Sequence, residues 1–281
     1  MNSKTIKLLA LDLDGTSLTD SNTLSPSVKL AIERAVQSGI EIVAASGRPY
    51  ASMPGNILEI EGINYAVTSN GAAVHDKTGR RIRSCTMKKS DVQSILEMTA
   101  EHDLIFEAFV EGLTYTDKRY VENPQKYGCS DAYVDYVRAS HGHIEDMRAF
   151  IINHINELDS VEIVCTDKAL RTKLRTLAEK NLSGVFVTSS SENFIEFMDK
   201  EATKGNAVGW VCKNLGISLN ETSACGNADN DADMIKQSGL GAAVENATRL
   251  CLDCADIIVP SNNKNGVARL IDIILDRNKN G

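Results

Sequence analysis

The sequence lacks several features that mark common classes of protein. Its 281 residues contain no block of Lys and Arg, and the formal net charge is −8. A nucleic-acid-binding surface needs clustered basic side chains, so we expect no nucleic-acid partner. The charged fraction of 24 % and the hydrophobic fraction of 42 % are those of an ordinary globular protein.

Long hydrophobic runs are also missing. The first apolar run extends from Leu8 to Leu11 and ends at Asp12. A run of this length is too short for the core of a secretory signal peptide or for a membrane span. We therefore expect no membrane partner and a location in the cytoplasm.

Cysteines are present, but not in the pattern of a disulfide framework. The seven cysteines are an odd number scattered over a long chain, which does not favour disulfide bonds. The single Cys-x-x-Cys motif, Cys251 to Cys254, has no second pair and no nearby histidine. We interpret both residues as packed helix positions and not as a zinc or redox pair.

The first part of the sequence predicts alternating strands and helices. Ser25 and Pro26 are typical of a helix start, and Gly39 is typical of a helix end. Short continuous apolar runs, as in strands buried on both faces of a parallel sheet, occur at residues 7–11, 40–45 and 65–68.

From about residue 84 the pattern changes to helices and strands of an α+β type, and after Asp199 the alternation returns. The later strands are predicted at 222–225, 241–244 and 256–259. We therefore predict an α/β fold with a mostly parallel sheet formed by residues 1–83 and 190–281, and an inserted α+β domain formed by residues 84–189.

Polar residues follow several of the predicted core strands. In open α/β sheets ligands bind beyond the carboxyl ends of the strands, so these residues are candidates for a site. Hard oxygen atoms suit Mg²⁺, whereas amides, hydroxyls and lysine suit phosphate oxygens. The candidates are Asp12 and Asp14 after the first strand, Ser46 and Gly47 after the second, Lys204 at a helix start, and Asn227, Asn230 and Asp231 after strand 222–225.

Each candidate also has an ordinary interpretation. An Asp-Gly sequence is a common turn, and a lysine at a helix start is usually solvated. Two carboxylates directly after a fully apolar strand, however, are costly to bury unless they are paired or bind a cation. The occurrence of all these residues in this order is what indicates a site for a phosphate group held with Mg²⁺.

The ordered motifs resemble those of the haloacid dehalogenase (HAD) superfamily, and within it the Cof-type sugar-phosphatase-like hydrolases with a large α/β cap of type IIB. The resemblance covers nearly the whole chain and implies a HAD Rossmann-like core, with residues 84–189 as a cap domain that sets substrate specificity. The motifs are Asp-Leu-Asp-Gly-Thr at 12–16, Ser-Gly-Arg at 46–48, Ser-Asn-Gly-Ala at 69–72, Lys-Gly at 204–205 and Asn-Asp at 230–231.

The resemblance implies a magnesium-dependent phosphatase for small phosphate monoesters, such as sugar phosphates or cofactor-type phosphates. Asp12 would form an aspartyl-phosphate, and Asp14 would act as general acid and then general base. The cap would close over the site. The implied phosphate-binding residues are Ser46, Gly47, Lys204 and Asn230, and the implied metal-binding residues are Asp12, Asp14 through its main-chain carbonyl, Asn227 and Asp231.

Position 227 departs from the family pattern Gly-Asp-x-x-Asn-Asp, because the first Asp is replaced by Asn227. The site loses one negative charge, and we expect weaker binding of Mg²⁺. Either the Asn227 amide oxygen still coordinates the metal with support from Asp231, or the protein binds phosphate esters without efficient turnover. A sugar phosphomutase is a third alternative. The sequence does not identify the substrate or the oligomeric state.

Overall fold

A computed structural model describes residues 5–189 and 191–280. The described residues form fourteen strands: β1 Leu8–Asp12, β2 Glu41–Ala45, β3 Ile63–Thr68, β4 Ala73–Asp76, β5 Arg81–Ser84, β6 Ile105–Val110, β7 Leu113–Asp117, β8 His141–Ile144, β9 Leu158–Val164, β10 Val185–Thr188, β11 Phe194–Asp199, β12 Thr222–Gly226, β13 Leu240–Val244 and β14 Ile257–Val259.

The same residues form eleven α-helices: α1 Pro26–Gln37, α2 Gly55–Leu58, α3 Lys89–Met98, α4 Lys118–Glu122, α5 Asp131–Ser140, α6 Met147–Asn153, α7 Lys168–Asn181, α8 Lys204–Leu215, α9 Ala232–Gln237, α10 Arg249–Cys254 and α11 Gly266–Asn280. Within the described ranges, no helix combines the length and the apolar character needed to cross a bilayer.

The chain divides into two compact units. The first contains the residues up to Gly47, the segment Met53–Ile82, and the residues from Thr203 onward. The second contains Arg48–Ser52 and Arg83–Ala202. The main part of the second unit is therefore an insertion into the first unit. The short loop Arg48–Ser52, from earlier in the chain, also belongs to the second unit.

The first unit is built around an eight-stranded sheet with the order β14-β13-β12-β1-β2-β3-β4-β5. The six strands from β14 to β3 in this order run parallel, and β4 is antiparallel to β3. The predicted mostly parallel sheet is confirmed. Because β1 lies beside β12, segments from opposite ends of the sequence meet at the carboxyl edge of the sheet.

Local sequence signals account for the helices on this sheet. The Ser25 side chain accepts a hydrogen bond from the Val28 amide at the start of α1. Thr203 caps α8 in the same way, and α8 ends at Gly216 in the left-handed conformation. The apolar side of α8, including Val208 and Val211, packs into the core formed with the sheet.

The two cysteines of the Cys-x-x-Cys motif lie on helix α10 and pack in the apolar core of the first unit, as predicted. All seven cysteines lie in the described part of the chain and are free thiols. Cys251 is on α10 and belongs to the apolar core of the first unit. Burial raises the pKa of its thiol to about 12, which makes it an inert core residue at neutral pH.

The second unit contains a six-stranded sheet with the order β10-β11-β9-β6-β7-β8. Its strands pair antiparallel except for β7 and β8, which are parallel. One face of the sheet is apolar and packs against α3, α6 and α7. Side chains in this core include Phe106, Ile163 and Phe197 from the sheet and Ile95, Ile151 and Leu174 from the helices.

The second end of the insertion differs from the predicted boundary. The sequence assigned residues 190–281 to the core domain, but β11 pairs with β9 and β10 in the second sheet. Its sequence, Phe-Ile-Glu-Phe-Met-Asp, is typical of a strand but carries no information about which sheet it joins. Arg48–Ser52 also belongs to the second unit, where the Ala51 amide donates to the Gly112 carbonyl at 3.1 Å.

Elements between residues 118 and 153 were not predicted. Strand β8, with the sequence His-Gly-His-Ile, has no apolar run and lies at the edge of the sheet beside β7. A Cβ atom at Gly142 would lie 2.7 Å from the Tyr115 ring. This close approach explains the glycine in a strand that otherwise lacks a strand pattern.

The other face of the second sheet carries a row of three glutamates from neighbouring strands. Glu162 lies opposite Glu107 on one side and Glu196 on the other, and their exposed fractions are 5 %, 3 % and 1 %. Burial, followed by the charges of Glu196 and Glu107, raises the pKa of Glu162 well above its usual 4.5. His141 Nε2 lies 3.6 Å from Glu107 Oε1.

This row predicts that Glu162 reduces stability at neutral pH. The pKa of Glu162 is higher in the folded than in the unfolded protein, so the protonated carboxyl makes its full contribution to the free energy of unfolding below about pH 4.5. That contribution is lost as the pH rises through the folded-state pKa. We expect Glu162→Gln to raise the melting temperature at pH 8 by at least about 2 °C. The gain should disappear near pH 4. Thermal unfolding at both pH values tests this, with exposed Glu192→Gln as the control.

Candidate active site

Three segments meet at the carboxyl edge of the core sheet. The turn Leu13–Ser17 follows β1, and the turn that begins at Asn227 follows β12. In the register of these two strands Leu11 lies opposite Cys225, so their ends are adjacent. The amino end of α8 supplies Lys204 to the same place.

Lys204 forms a buried ion triad with two aspartates. Its Nζ lies 2.7 Å from Asp12 Oδ1 and 2.6 Å from Asp231 Oδ1. The exposed fractions of Lys204, Asp12 and Asp231 are 1 %, 4 % and 0 %. One ammonium group thus serves two carboxylates away from water, and the triad carries a formal charge of −1.

The pKa values reflect this imbalance. Burial and the charge of Asp231 raise the pKa of Asp12 to about 7, although Lys204 acts in the opposite direction. Burial lowers the pKa of Lys204, but the two carboxylates outweigh that effect and hold it above its usual value. Lys204 therefore stays charged, and Asp12 requires a further positive partner to be fully ionised at neutral pH.

Asp231 organises the turn after β12. Its Oδ2 accepts hydrogen bonds from the main-chain amides of Asn227 at 2.9 Å and Ala228 at 3.0 Å. A Cβ atom at Gly226 would lie 2.3 Å from Asp231 Cβ, so only glycine fits there. Both oxygens of Asp231 are engaged with Lys204 and the backbone. Its predicted role as a metal ligand stays a prediction.

The side chain of Asn227 reaches across to the turn after β1. One end of its amide lies 3.0 Å from Asp12 Oδ2, 2.9 Å from the Asp14 main-chain oxygen and 2.9 Å from Thr16 Oγ1. The Asp14 main-chain oxygen is an acceptor only, and so is Asp12 Oδ2 in the ionised carboxylate, so these partners assign the amide nitrogen to this position. In this orientation Asn227 donates to both aspartates.

The turn after β1 is shaped to receive that amide. Gly15 has a φ of +75°, and a Cβ atom there would lie 2.6 Å from the nearest amide atom of Asn227. Asn246 Nδ2 donates to the Gly15 carbonyl at 2.9 Å. The sequence assigned no role to Thr16 or Asn246, although Thr16 belongs to the Asp-Leu-Asp-Gly-Thr motif.

A second cluster joins the predicted phosphate-binding residues. Asn230 Nδ2 donates to Asn70 Oδ1 at 2.7 Å, and the Asn70 amide donates to the Ser46 carbonyl at 3.2 Å. A Cβ atom at Gly47 would lie 3.0 Å from Asn70 Oδ1. Asn70 therefore links the turn after β2 to Asn230. Sequence reasoning gave it no role, although the Ser-Asn-Gly-Ala motif contains it.

The two clusters adjoin because Asn230 and Asp231 are consecutive residues. The first brings together Asp12, Lys204, Asp231, Asn227 and the Asp14 main-chain oxygen. The Asp14 side chain is half-buried. Asn230 Oδ1 is buried without a hydrogen-bond partner among the described residues. An orphaned acceptor of this kind is uncommon in a folded core and is typical of a functional site.

The spacing of three groups fits Mg²⁺. Residues 5–189 and 191–280 contain no set of three or more acidic, histidine or cysteine side chains placed to hold a metal, so any ligand set is mixed. An octahedral Mg²⁺ with oxygen ligands at about 2.0–2.1 Å separates neighbouring ligands by about 2.9 Å. The terminal amide atom of Asn227 stands at 3.0 Å from Asp12 Oδ2 and 2.9 Å from the Asp14 carbonyl.

Comparison with known proteins decides the family. The profile of the haloacid dehalogenase-like hydrolases matches residues 9–271. The chain belongs to this family. The resemblance inferred from the motifs, the α/β fold class and the enzyme class, a phosphoric monoester hydrolase of the HAD type, are therefore confirmed.

Individual relatives of this HAD hydrolase are distant but cover it almost completely. Phosphatase YwpJ of Bacillus subtilis is 27 % identical, across 96 % of this chain and 100 % of the relative. The 5-amino-6-(5-phospho-D-ribitylamino)uracil phosphatase YwtE of the same organism is 26 % identical, across 96 % and 98 %. A solved subclass IIB sugar phosphatase is 17 % identical with a TM-score of 0.79, covering 95 % and 98 % of the two chains.

The triad predicts a large stability loss when its cation is removed. We expect Lys204→Met to lower the free energy of unfolding by about 3–5 kcal/mol, because two buried carboxylates lose their partner. Urea unfolding at pH 7.5 measures the change. Lys213→Met, an exposed position on the same helix, should stay within about 0.5 kcal/mol. Equal urea midpoints for the Lys204 and Lys213 variants would contradict the stabilising role of Lys204 in the triad.

Proposed function

We propose that this HAD-type phosphatase hydrolyses small phosphate monoesters, such as sugar phosphates or cofactor-type phosphates, in two steps on Asp12 with the help of Mg²⁺. The observation that supports it most is the buried position of Asp12 between Lys204 and Asn227. A carboxylate held on both oxygens in a dry site is oriented for in-line attack.

In the first step an Asp12 oxygen bonds to phosphorus as the bond from phosphorus to the leaving oxygen breaks. Asp14 gives a proton to that leaving oxygen, so the alcohol departs neutral. In the second step Asp14 takes a proton from water, and the water oxygen displaces the Asp12 carboxylate from phosphorus. Inorganic phosphate leaves, and both aspartates return to their starting states.

Lys204 and the second cluster would hold the phosphate. Lys204 already orients Asp12 through the 2.7 Å contact, and its charge is available to the non-bridging oxygens of a bound phosphate. Asn70 links Asn230 to the Ser46 carbonyl, and Gly47 lies beside the Asn70 side chain. Their direct contact with the phosphate is part of this proposal.

Asp12 Oδ2, the Asp14 main-chain oxygen and the Asn227 amide oxygen would hold Mg²⁺, with Asp231 supporting the site through Lys204. When bound, the ion supplies positive charge that offsets the negative charges of Asp12 and the phosphate. The predicted weaker binding caused by Asn227 belongs to this proposal. The curated relatives are phosphatases, which favours water over a sugar hydroxyl as the final acceptor.

We expect Asp12→Asn to lower phosphate release by more than about a thousandfold, because the attacking carboxylate is lost. A panel of sugar phosphates, nucleotides and cofactor phosphates, assayed for inorganic phosphate with Mg²⁺, measures this. The exposed Asp276→Asn should keep full activity. Sugar-phosphate isomer exchange without phosphate release would indicate a phosphomutase. Ester binding without any turnover would indicate a silent site.

Asn227→Asp provides the test of the metal. Restoring a carboxylate should lower the Mg²⁺ concentration for half-maximal phosphate release by about tenfold or more, because affinity rises with ligand charge. Titration of both proteins on one substrate gives the comparison. An unchanged Mg²⁺ requirement would show that residue 227 is not a ligand.

A further inference from the structure

The Asn227 amide faces a conflict between two tasks. The Asp14 carbonyl can only accept hydrogen bonds, and so can Asp12 Oδ2 in the ionised carboxylate, so the amide satisfies them with its nitrogen. A metal ligand must instead present oxygen, since an amide nitrogen does not coordinate Mg²⁺. The same side chain cannot perform both tasks in one orientation.

The hydroxyl group of Thr16 suits either orientation of the amide. Thr16 Oγ1 also lies 2.9 Å from the nitrogen, whose two hydrogens serve Asp12 and Asp14, and it donates to Asn227 Oδ1 over the same 2.9 Å when the amide is turned over. A hydroxyl group can serve as donor or acceptor. The hydrogen-bond lengths also equal the spacing of about 2.9 Å between neighbouring ligands of octahedral Mg²⁺. Exchange of the two amide ends therefore requires almost no displacement of the oxygens.

The backbone of Asn227 is fixed on both sides. Its amide donates to Asp231 Oδ2 at 2.9 Å, and its carbonyl accepts from the Thr248 amide at 2.8 Å. Gly15 leaves room beside the side chain, where a Cβ atom would lie 2.6 Å away. The backbone can therefore stay in place while a half-turn about the Cβ–Cγ bond exchanges the two ends of the amide.

We propose that the NH₂ group of Asn227 occupies the position of the cation when no metal is bound. In the metal-free protein its NH₂ group donates to Asp12 and Asp14, and binding of Mg²⁺ turns the amide over so that Oδ1 joins the ligands. This inference rests on the proposed metal site. The ion must displace two hydrogen bonds before it binds, and the metal-free site stays satisfied without it.

A carboxylate at 227 has no such resting state. Its oxygen would stand 3.0 Å from Asp12 Oδ2, beside a triad that already carries a net negative charge. Like charges at this distance destabilise the fold unless a cation lies between them. Asn227 therefore lowers the affinity for Mg²⁺ compared with an aspartate, but it keeps the fold stable when the ion is not bound.

Thermal unfolding of the full chain in EDTA and in 10 mM Mg²⁺ tests this. Asn227→Asp should melt at least about 4 °C below the native protein in EDTA, and Mg²⁺ should raise its melting temperature by more than that of the native protein. The exposed Asn220→Asp should behave as the native protein in both conditions. Equal melting temperatures in EDTA, or equal gains with Mg²⁺, would overturn the proposal.

A direct measurement follows the Asn227 amide protons in the native protein. In protein labelled with ¹⁵N-asparagine, the Asn227 NH₂ signals are those absent from the spectrum of Asn227→Asp or, should that variant not fold, of Asn227→Gln. We expect protons protected from exchange in EDTA, and loss of that protection with Mg²⁺. Unchanged protection while phosphate release remains Mg²⁺-dependent would refute the turning amide alone. Absence of any Mg²⁺ effect on release would refute the metal site and this inference with it.

Discussion

The buried contact of Lys204 with Asp12 and Asp231 is the constraint from which the rest of the site follows. One positive charge between two carboxylates holds the end of β1, the start of α8 and the turn after β12 together. It also leaves the group one negative charge in excess, away from water. The NH₂ group of Asn227 faces that excess, 3.0 Å from Asp12 Oδ2.

Much of the fold could be predicted from local patterns. Apolar runs such as Leu8–Leu11 predict buried parallel strands, and residues such as Ser25, Thr203 and Gly216 mark helix ends through their own hydrogen bonds or conformation. The site residues were predicted because strand ends converge in this type of sheet, so their order along the sequence already implies proximity.

The remaining features depend on contacts between distant segments. The sequence of β11 indicates a strand but not its partner β9, and β8 lacks an apolar pattern because it is a short edge strand. The role of Asn70 depends on its hydrogen bond with Asn230, 160 positions away. The orientation of the Asn227 amide depends on which oxygens surround it. Patterns within a short window do not contain this information.

The position of β1 in the sheet has a consequence for biosynthesis. Asp12 emerges from the ribosome early, but Lys204 follows 192 positions later, and β12 later still. The inserted sheet, whose strands lie between Ile105 and Asp199, can be complete while β1 still has one open flank. The edge of β1 therefore stays unpaired until β12 has been synthesised. Strand pairings between segments so far apart in sequence form slowly, and an open strand edge favours aggregation in the meantime.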